Sequence, residues 1–189
     1  MQEKIRTLLE QNTALIKSVA RDCAQDIEKT AQLIIAAYKQ GNKVLIFGNG
    51  GSAADSQHIA AELVGRFKKE RPALPALALT TNTSIISALA NDYNYDLIFE
   101  RQIEAWGKKG DIAIGISTSG SAKNVIRALK KSRERGLYCV GFTGEKGKEL
   151  KPLCDICVMV PSADTARIQE AHITVAHIIC ELIEEALSA

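Results

Sequence analysis

Five short apolar runs, separated by helix-patterned segments, constrain this chain more than any other feature of its sequence. The runs are Val44–Phe47, Ala76–Leu79, Ile112–Ile116, Tyr138–Phe142 and Ile156–Val160. Each is strand-sized and rich in β-branched or aromatic residues. Helical patterning fills the segments near 53–64, 83–90, 97–106 and 122–135, and a last stretch over 165–187 closes the chain. Strands alternating with helices pair in parallel through crossovers, so the predicted class is α/β: a three-layer sandwich with a five-stranded parallel sheet. The flavodoxin-like order 2-1-3-4-5 puts a topological switch point between strands one and three, at their carboxyl ends. Ahead of the sheet, Ile5, Leu8, Leu9, Leu15, Ile16 and Val19 recur at helical steps, and a second run from Ile27 to Tyr38 stops at Gly41. The expected organisation is a helical segment over 1–40 and an α/β unit over 41–189, forming one structural unit.

Composition narrows the functional classes. At 189 residues the chain has the size of one domain with a helical appendage. Its 46% apolar and 24% charged residues exclude intrinsic disorder, and a formal net charge of +2 gives no electrostatic footprint for nucleic acid. No apolar stretch reaches the roughly 18 residues of a membrane span. The N-terminus, MQEKIRTLLEQNTALIK, alternates charged and apolar residues and lacks the apolar centre of a signal peptide. Five cysteines, an odd number, fit free thiols in a reducing compartment, so a cytoplasmic location is expected. Cys154 and Cys157 form a CxxC at the entrance to a strand; alternation points the two thiols to opposite faces, and both read as structural. Lys68, Lys69, Glu70 and Arg71 precede Pro72 and read as a solvated surface loop.

Two loops suit an anion. Gly48-Asn49-Gly50-Gly51-Ser52 follows the first strand and opens a helix, so backbone N–H groups and the helix N-terminus can approach a phosphate. Ser117-Thr118-Ser119-Gly120-Ser121 follows the third strand and offers four hydroxyls to a phosphate monoester. The switch point places both loops on one crevice; the plainer reading is two turns with helix caps. Gly48 to Ala53 also meets the loose G-x-G-x-x-A dinucleotide pattern. The second strand, however, ends Leu79-Thr80-Thr81-Asn82 without a ribose-binding acid, and no Walker motif occurs. No nucleotide cofactor is expected.

A polar constellation accompanies these loops. His58 and Glu62, four residues apart, share one face of the helix that starts at the glycine loop. The last helix carries Gln169, Glu170, His172 and His177, and it can bring His177 towards His58 and Glu62 from the same or a neighbouring subunit. Imidazoles, a carboxylate and an amide oxygen can build a zinc site, or serve as a metal-free acid–base pair. Satisfied surface or interfacial polar residues are the plainer reading. Asp92, placed in a loop after the second crossover helix, lies where a sugar hydroxyl can bind.

Three segments together, Gly48 to His58, Gly115 to Gly120 and Arg167-Ile168-Gln169-Glu170-Ala171-His172, resemble the sugar isomerase (SIS) family and within it the phosphoheptose isomerases. The resemblance spans nearly the whole chain and implies a SIS fold over 41–189. It implies a homotetramer with active sites at subunit interfaces. It implies conversion of sedoheptulose 7-phosphate to D-glycero-D-manno-heptose 7-phosphate, the first step towards nucleotide-activated heptose for lipopolysaccharide or capsule. By motif position it implies a zinc held by His58, Glu62, Gln169 and His177. It also implies a phosphate site at Ser117, Thr118 and Ser119 assisted by Gly50, Gly51 and Ser52, and sugar contacts from Asn49, Asp92 and Gln169. Glu62 is expected to shuttle a carbon-bound proton and His177 an oxygen-bound one. One departure stands out: the last serine of the family's second loop is Ala122 here, with Ser121 one residue away as a substitute. The alternative within the fold is a non-catalytic scaffold that binds the replication initiator protein; retention of His58, Glu62 and His177 argues for the enzyme. A sugar-phosphate sensor would need an attached DNA-binding domain, for which the chain has no room.

Overall fold

The structure, a computed structural model, describes residues 1–188. Two helices, α1 (Gln2–Asp22) and α2 (Ala24–Lys39), precede the sheet. Then come β1 (Val44–Gly48), α3 (Gly51–Val64), β2 (Ala76–Ala78), α4 (Thr83–Asp92), α5 (Glu100–Trp106), β3 (Ile112–Ser117), α6 (Lys123–Glu134), β4 (Tyr138–Gly144), β5 (Ile156–Val160) and α7 (Thr165–Leu187). The five strands are parallel in the order β2-β1-β3-β4-β5, as the alternating pattern predicts. Strand ends move by one or two residues. β2 stops at Ala78, although Leu79 N–H still donates to the Ile46 carbonyl at 2.9 Å. The segment near 97–106 divides into a 3-10 turn over Tyr95–Leu97 and α5.

Strand alternation sorts the core into two layers. Val44, Ile46, Ile112, Ile114, Ile116, Val140 and Phe142 face α2, α3 and α7, and α2 contributes Ile27, Ala31 and Ile34 to the same core. Leu45, Phe47, Ala113 and Cys139 face α5 and α6 on the other side, where Phe47 and Phe99 meet with ring centroids 5.4 Å apart. Both faces of the sheet are covered, which is why the strands read as continuous apolar runs. At about 25 cal/mol per Å² of apolar surface buried, such double coverage is the main favourable term holding the layers together.

The cysteine pair differs from its sequence reading. β5 begins at Ile156, so Cys154 lies before the strand and alternation does not govern it. Both sulfurs close on Gly141 of β4, where a Cβ would stand 2.6 Å from Cys154 Sγ and 3.2 Å from Cys157 Sγ. The two thiols share one side of the sheet, and both are free.

His172 joins α7 to β4. Its side chain packs on Phe142, its Nε2 lies 3.3 Å from the Thr143 carbonyl, and the residue is 1% exposed. Burial pushes its pKa from 6.5 down to about 4, against the weaker upward pull of that hydrogen bond. The folded pKa is depressed, so below pH 6.5 the unfolded chain takes up a proton that the folded chain refuses. Stability therefore falls as pH drops through this window, by up to about 3 kcal/mol. Thermal melts at a series of pH values are expected to show a shallower acid loss for His172→Gln than for the wild-type chain. Parallel curves would remove His172 as the cause.

Candidate active site

A cleft of about 320 Å³ opens at the carboxyl ends of β1 and β3, where the strand order reverses. Asn49, Gly50, Gly51 and Ser52 line it from the first loop, Ser117, Thr118 and Ser119 from the second, and Thr165 and Gln169 from α7. The two anion loops thus meet on one crevice, as the topology requires. Gly50, the residue before α3, sits at φ 56, a conformation that favours glycine. Gly120 turns the second loop at φ 68. Three helix N-termini, those of α3, α6 and α7, border the space, and Asp164 caps the third by accepting from the Ala166 and Arg167 N–H groups. Neither Gly50 nor Ala122 supplies a side-chain cap, so no N-cap oxygen competes with an anion there.

An amide pair ties the two loops together. Asn49 Nδ2 donates to Asn124 Oδ1, and Asn124 Nδ2 donates back to Asn49 Oδ1, each at 2.9 Å. The Tyr95 hydroxyl also donates to Asn49 Oδ1, at 3.3 Å. Sequence reasoning missed Asn124 and Tyr95. An asparagine in the first turn of a helix signals a cap, and nothing local identifies a partner 75 residues away. Ser119 and Ser121 hydroxyls bond each other at 2.9 Å, and Ala122, not Ser121, lines the cleft. Asp92 is the last residue of α4 and not part of a loop. It accepts from Asn91 Nδ2 and is not among the residues lining this cleft.

The helices that frame the cleft also carry the acid–base groups. On α3, His58 Nε2 lies 3.0 Å from Glu62 Oε1; from α7, His177 Nε2 comes within 3.2 Å of the same His58 nitrogen. One donor atom from each of the three residues lies within 4.8 Å of the others. A single imidazole N–H cannot satisfy both a carboxylate and a second ring nitrogen, so the lone pairs converge on a point that suits a cation. Metal bonds of about 2.0–2.1 Å in a tetrahedron imply donor separations of about 3.3 Å, and two imidazoles plus a carboxylate leave a fourth position open. The donor set therefore fits zinc. Gln169, the fourth expected ligand, lies two turns before His177, with its amide against Gly51: a Cβ there would stand 2.9 Å from Gln169 Cδ. Asp55, one turn before His58, escaped sequence reasoning. Burial pushes its carboxyl above the usual range, and Oδ2 is buried without a partner.

Arg167, in the motif that resembles the family, binds elsewhere. Its guanidinium donates to the Leu8 carbonyl at 3.1 Å and pairs with Glu170 at 2.7 Å, while Asn12 donates to Glu170, so the motif's arginine fastens α1 to α7.

Comparison with known proteins identifies a family. The family model for the SIS domain matches residues 8–144. A phosphoheptose isomerase of Aquifex aeolicus is 54% identical over 98% of this chain and 97% of its own length; one of Pelobacter propionicus is 50% identical over 100% of both. The solved structure of a phosphoheptose isomerase from Neisseria gonorrhoeae superposes with a TM-score of 0.92 at 37% identity, covering 97% of this chain and 98% of that one.

Zn²⁺ binding, measured by competition with a chromophoric chelator, is expected to require all three converging side chains. Changing His177→Asn should weaken it by more than the roughly 10–100-fold that loss of an outer partner costs. Equal affinity in the variant would dissociate His177 from the cation position.

Proposed function

The chain belongs to the SIS-domain family and, within it, to the phosphoheptose isomerases, and on that premise we propose that it converts sedoheptulose 7-phosphate to D-glycero-D-manno-heptose 7-phosphate. It is a phosphosugar isomerase acting on a phosphorylated heptose. The observation that carries the finer reading is that α3 and α7 each bear both ends of the site. Ser52 on α3 and Thr165 on α7 line the anion cleft, and His58, Glu62 and His177 follow two to three turns further along the same helices. A seven-carbon sugar phosphate has that polarity, with its phosphate at one end and its reacting carbons at the other.

Isomerisation moves two protons and leaves the overall oxidation state unchanged. Glu62 removes a proton from C1 of the ketose while the C2 carbonyl oxygen gains one, giving an enediol. The C1 hydroxyl then loses its proton, C1 becomes the aldehyde carbon, and Glu62 returns a proton to C2. Glu62 Oε1 faces His58, so the second carboxylate oxygen serves as base. A positioned base of this kind contributes about 10²–10⁴-fold. His177, across from His58 and Glu62, passes a proton between O1 and O2. Zinc held by His58, Glu62 and His177, with Gln169 as the fourth ligand, would supply Lewis-acid polarisation of the sugar oxygens and stabilise enediolate charge. Ser117, Thr118 and Ser119 with the Gly50–Ser52 loop grip the phosphate, which converts remote binding energy into placement of the reacting carbons. Asn49 and Gln169 meet sugar hydroxyls. Ser121 bonds Ser119 and acts by holding it, so the hydroxyl missing at Ala122 is not replaced.

The active form is a homotetramer. α1 exposes Ile5 at 51% and Leu9 at 64%, and an apolar groove of about 280 Å³ between α1, α2 and α7 is walled by Ile16, Val19, Ile27, Val175, Ile178 and Leu182. A second copy covers this helical face, and Asp92, outside the cleft of its own chain, reaches a sugar across an interface. No helix among the described residues is long and apolar enough to cross a membrane. The reaction belongs in the cytoplasm, at the first step towards nucleotide-activated heptose for lipopolysaccharide or capsule. Convergence of three acid–base residues favours this reading over a scaffold for the replication initiator.

A coupled assay with sedoheptulose 7-phosphate, run with and without chelator, is the direct test; no turnover in the metal-loaded protein would overturn the reading. Glu62→Gln should lower kcat by about 10²-fold or more. Ser119→Ala should chiefly raise KM, with a smaller loss of kcat because the phosphate grip also places the reacting carbons. An unchanged KM would show that this loop does not hold the phosphate.

A further inference from the structure

The turn after α3 contains a buried ion pair that no part of the reaction chemistry uses. Arg71 and Glu184 have side chains 1% and 3% exposed, with Nε 3.3 Å from Oε1. Arg71 reaches back over the end of α3. Its Nη2 donates to the Glu62 carbonyl at 2.7 Å, and its Nη1 to the Leu63 carbonyl at 2.8 Å and the Gly65 carbonyl at 3.2 Å. These are carbonyls a helix C-terminus leaves without intrahelical partners, where a cation is favoured. Glu184, on the last turns of α7, accepts from three successive backbone N–H groups: Phe67 at 2.8 Å, Lys68 at 2.6 Å and Lys69 at 2.8 Å. Burial raises the Glu184 pKa, but those three donors and Arg71 together hold it below the usual carboxylate range.

The two residues therefore join three pieces: the end of α3 at Glu62 itself, the turn over Phe67–Lys69, and α7. The turn delivers the Phe67 ring to His177, with centroids 5.5 Å apart. Glu184 lies seven residues beyond His177, two helical turns along the same face of α7. Replacing a buried ion pair by well-packed apolar residues is often neutral or stabilising, so net stability alone does not account for one. Its geometry here is specific: apart from a bond from Arg71 Nη1 to the neighbouring Pro72 carbonyl at 3.1 Å, its contacts fall on the end of α3 that carries Glu62 and on the turn that carries the Phe67 ring.

We infer that Arg71 and Glu184 are positioning residues that set the spacing of α3 and α7, and that Phe67, held by them, is the wall that fixes the His177 ring. This rests on the isomerase reading for its kinetic consequence, though not for its geometric one. Neither side chain touches substrate; both act through Glu62 and His177.

Three variants of the full chain test it: Arg71→Lys, which keeps the charge but loses the fork; Glu184→Gln, which keeps an acceptor but loses the charge; and Phe67→Leu, which leaves the ion pair intact. For variants that retain a cooperative melt, kcat for sedoheptulose 7-phosphate should fall about 10–100-fold with KM held within about threefold, because the phosphate cleft is untouched. Zn²⁺ affinity, by chelator competition, should weaken about 10–100-fold. In the metal-free protein the His177 ring resonances should move in Phe67→Leu, from loss of the ring current, and in Glu184→Gln, from release of the turn. Folded variants that melt lower yet keep kcat, Zn²⁺ affinity and His177 resonances unchanged would reduce the pair to a structural role and overturn the inference. If Glu184→Gln fails to fold, Phe67→Leu decides by kcat and Zn²⁺ affinity, because loss of the ring current moves its His177 resonances under either role. An inactive wild-type protein would overturn the isomerase reading instead, and the resonances would still judge the positioning role.

Discussion

The contact between α3 and α7 is the constraint on which the candidate site depends. Both helices lie on one face of the sheet and share its core through Ile59, Leu63, Ile168 and Val175. Apolar burial brings them together, but it is non-directional and tolerates small slides. Hydrogen bonds and charge supply the missing precision at the carboxyl end of α3, and the glycine loop supplies it at the amino end. Each helix therefore has one terminus at the anion cleft and its acid–base residues further along. The separation between the cleft and the His58–Glu62–His177 cluster is built into helical rise and does not rely on a flexible loop.

Electrostatics divide along the same line. The cleft offers N–H groups, hydroxyls and the two uncapped amino termini of α3 and α6, with no arginine or lysine side chain among its lining residues. On the proposed reading an anion there would be held by fixed dipoles, which need little rearrangement when a ligand arrives. The other end brings together ring nitrogens of two imidazoles and a carboxylate oxygen, within 4.8 Å of one another. A donor-rich end and an acceptor-rich end on the same pair of helices give the site its direction.

Much of this was legible in the sequence because it is local. Five apolar runs, helix-period segments and two loops at strand ends are short-range patterns, and a switch point follows from strand order. His58 and Glu62 are four residues apart, so one helix face suffices to pair them. What escaped depends on distance along the chain. Lys68, Lys69, Glu70 and Arg71 read as a solvated loop, yet the Arg71 side chain is buried against Glu184. A run of charges cannot reveal that one of its members folds inward to meet a carboxylate 113 positions later. Asn124 and Phe67 are hidden for the same reason. The fifth strand begins at Ile156 as its apolar run predicts, so alternation governs Cys157 but not Cys154, and the backbone before the strand turns the Cys154 thiol to the same side.

The reciprocal amide pair of Asn49 and Asn124 spans the seam between β1 and β3, with both Asn49 and the helix bearing Asn124 rooted at the cleft. Two antiparallel hydrogen bonds resist rotation as well as separation, so neither loop can swing outward without breaking both. The cradle is consequently one stiff jaw: on the proposed reading its two halves would engage an anion together, and a ligand too short to reach both would gain less from either.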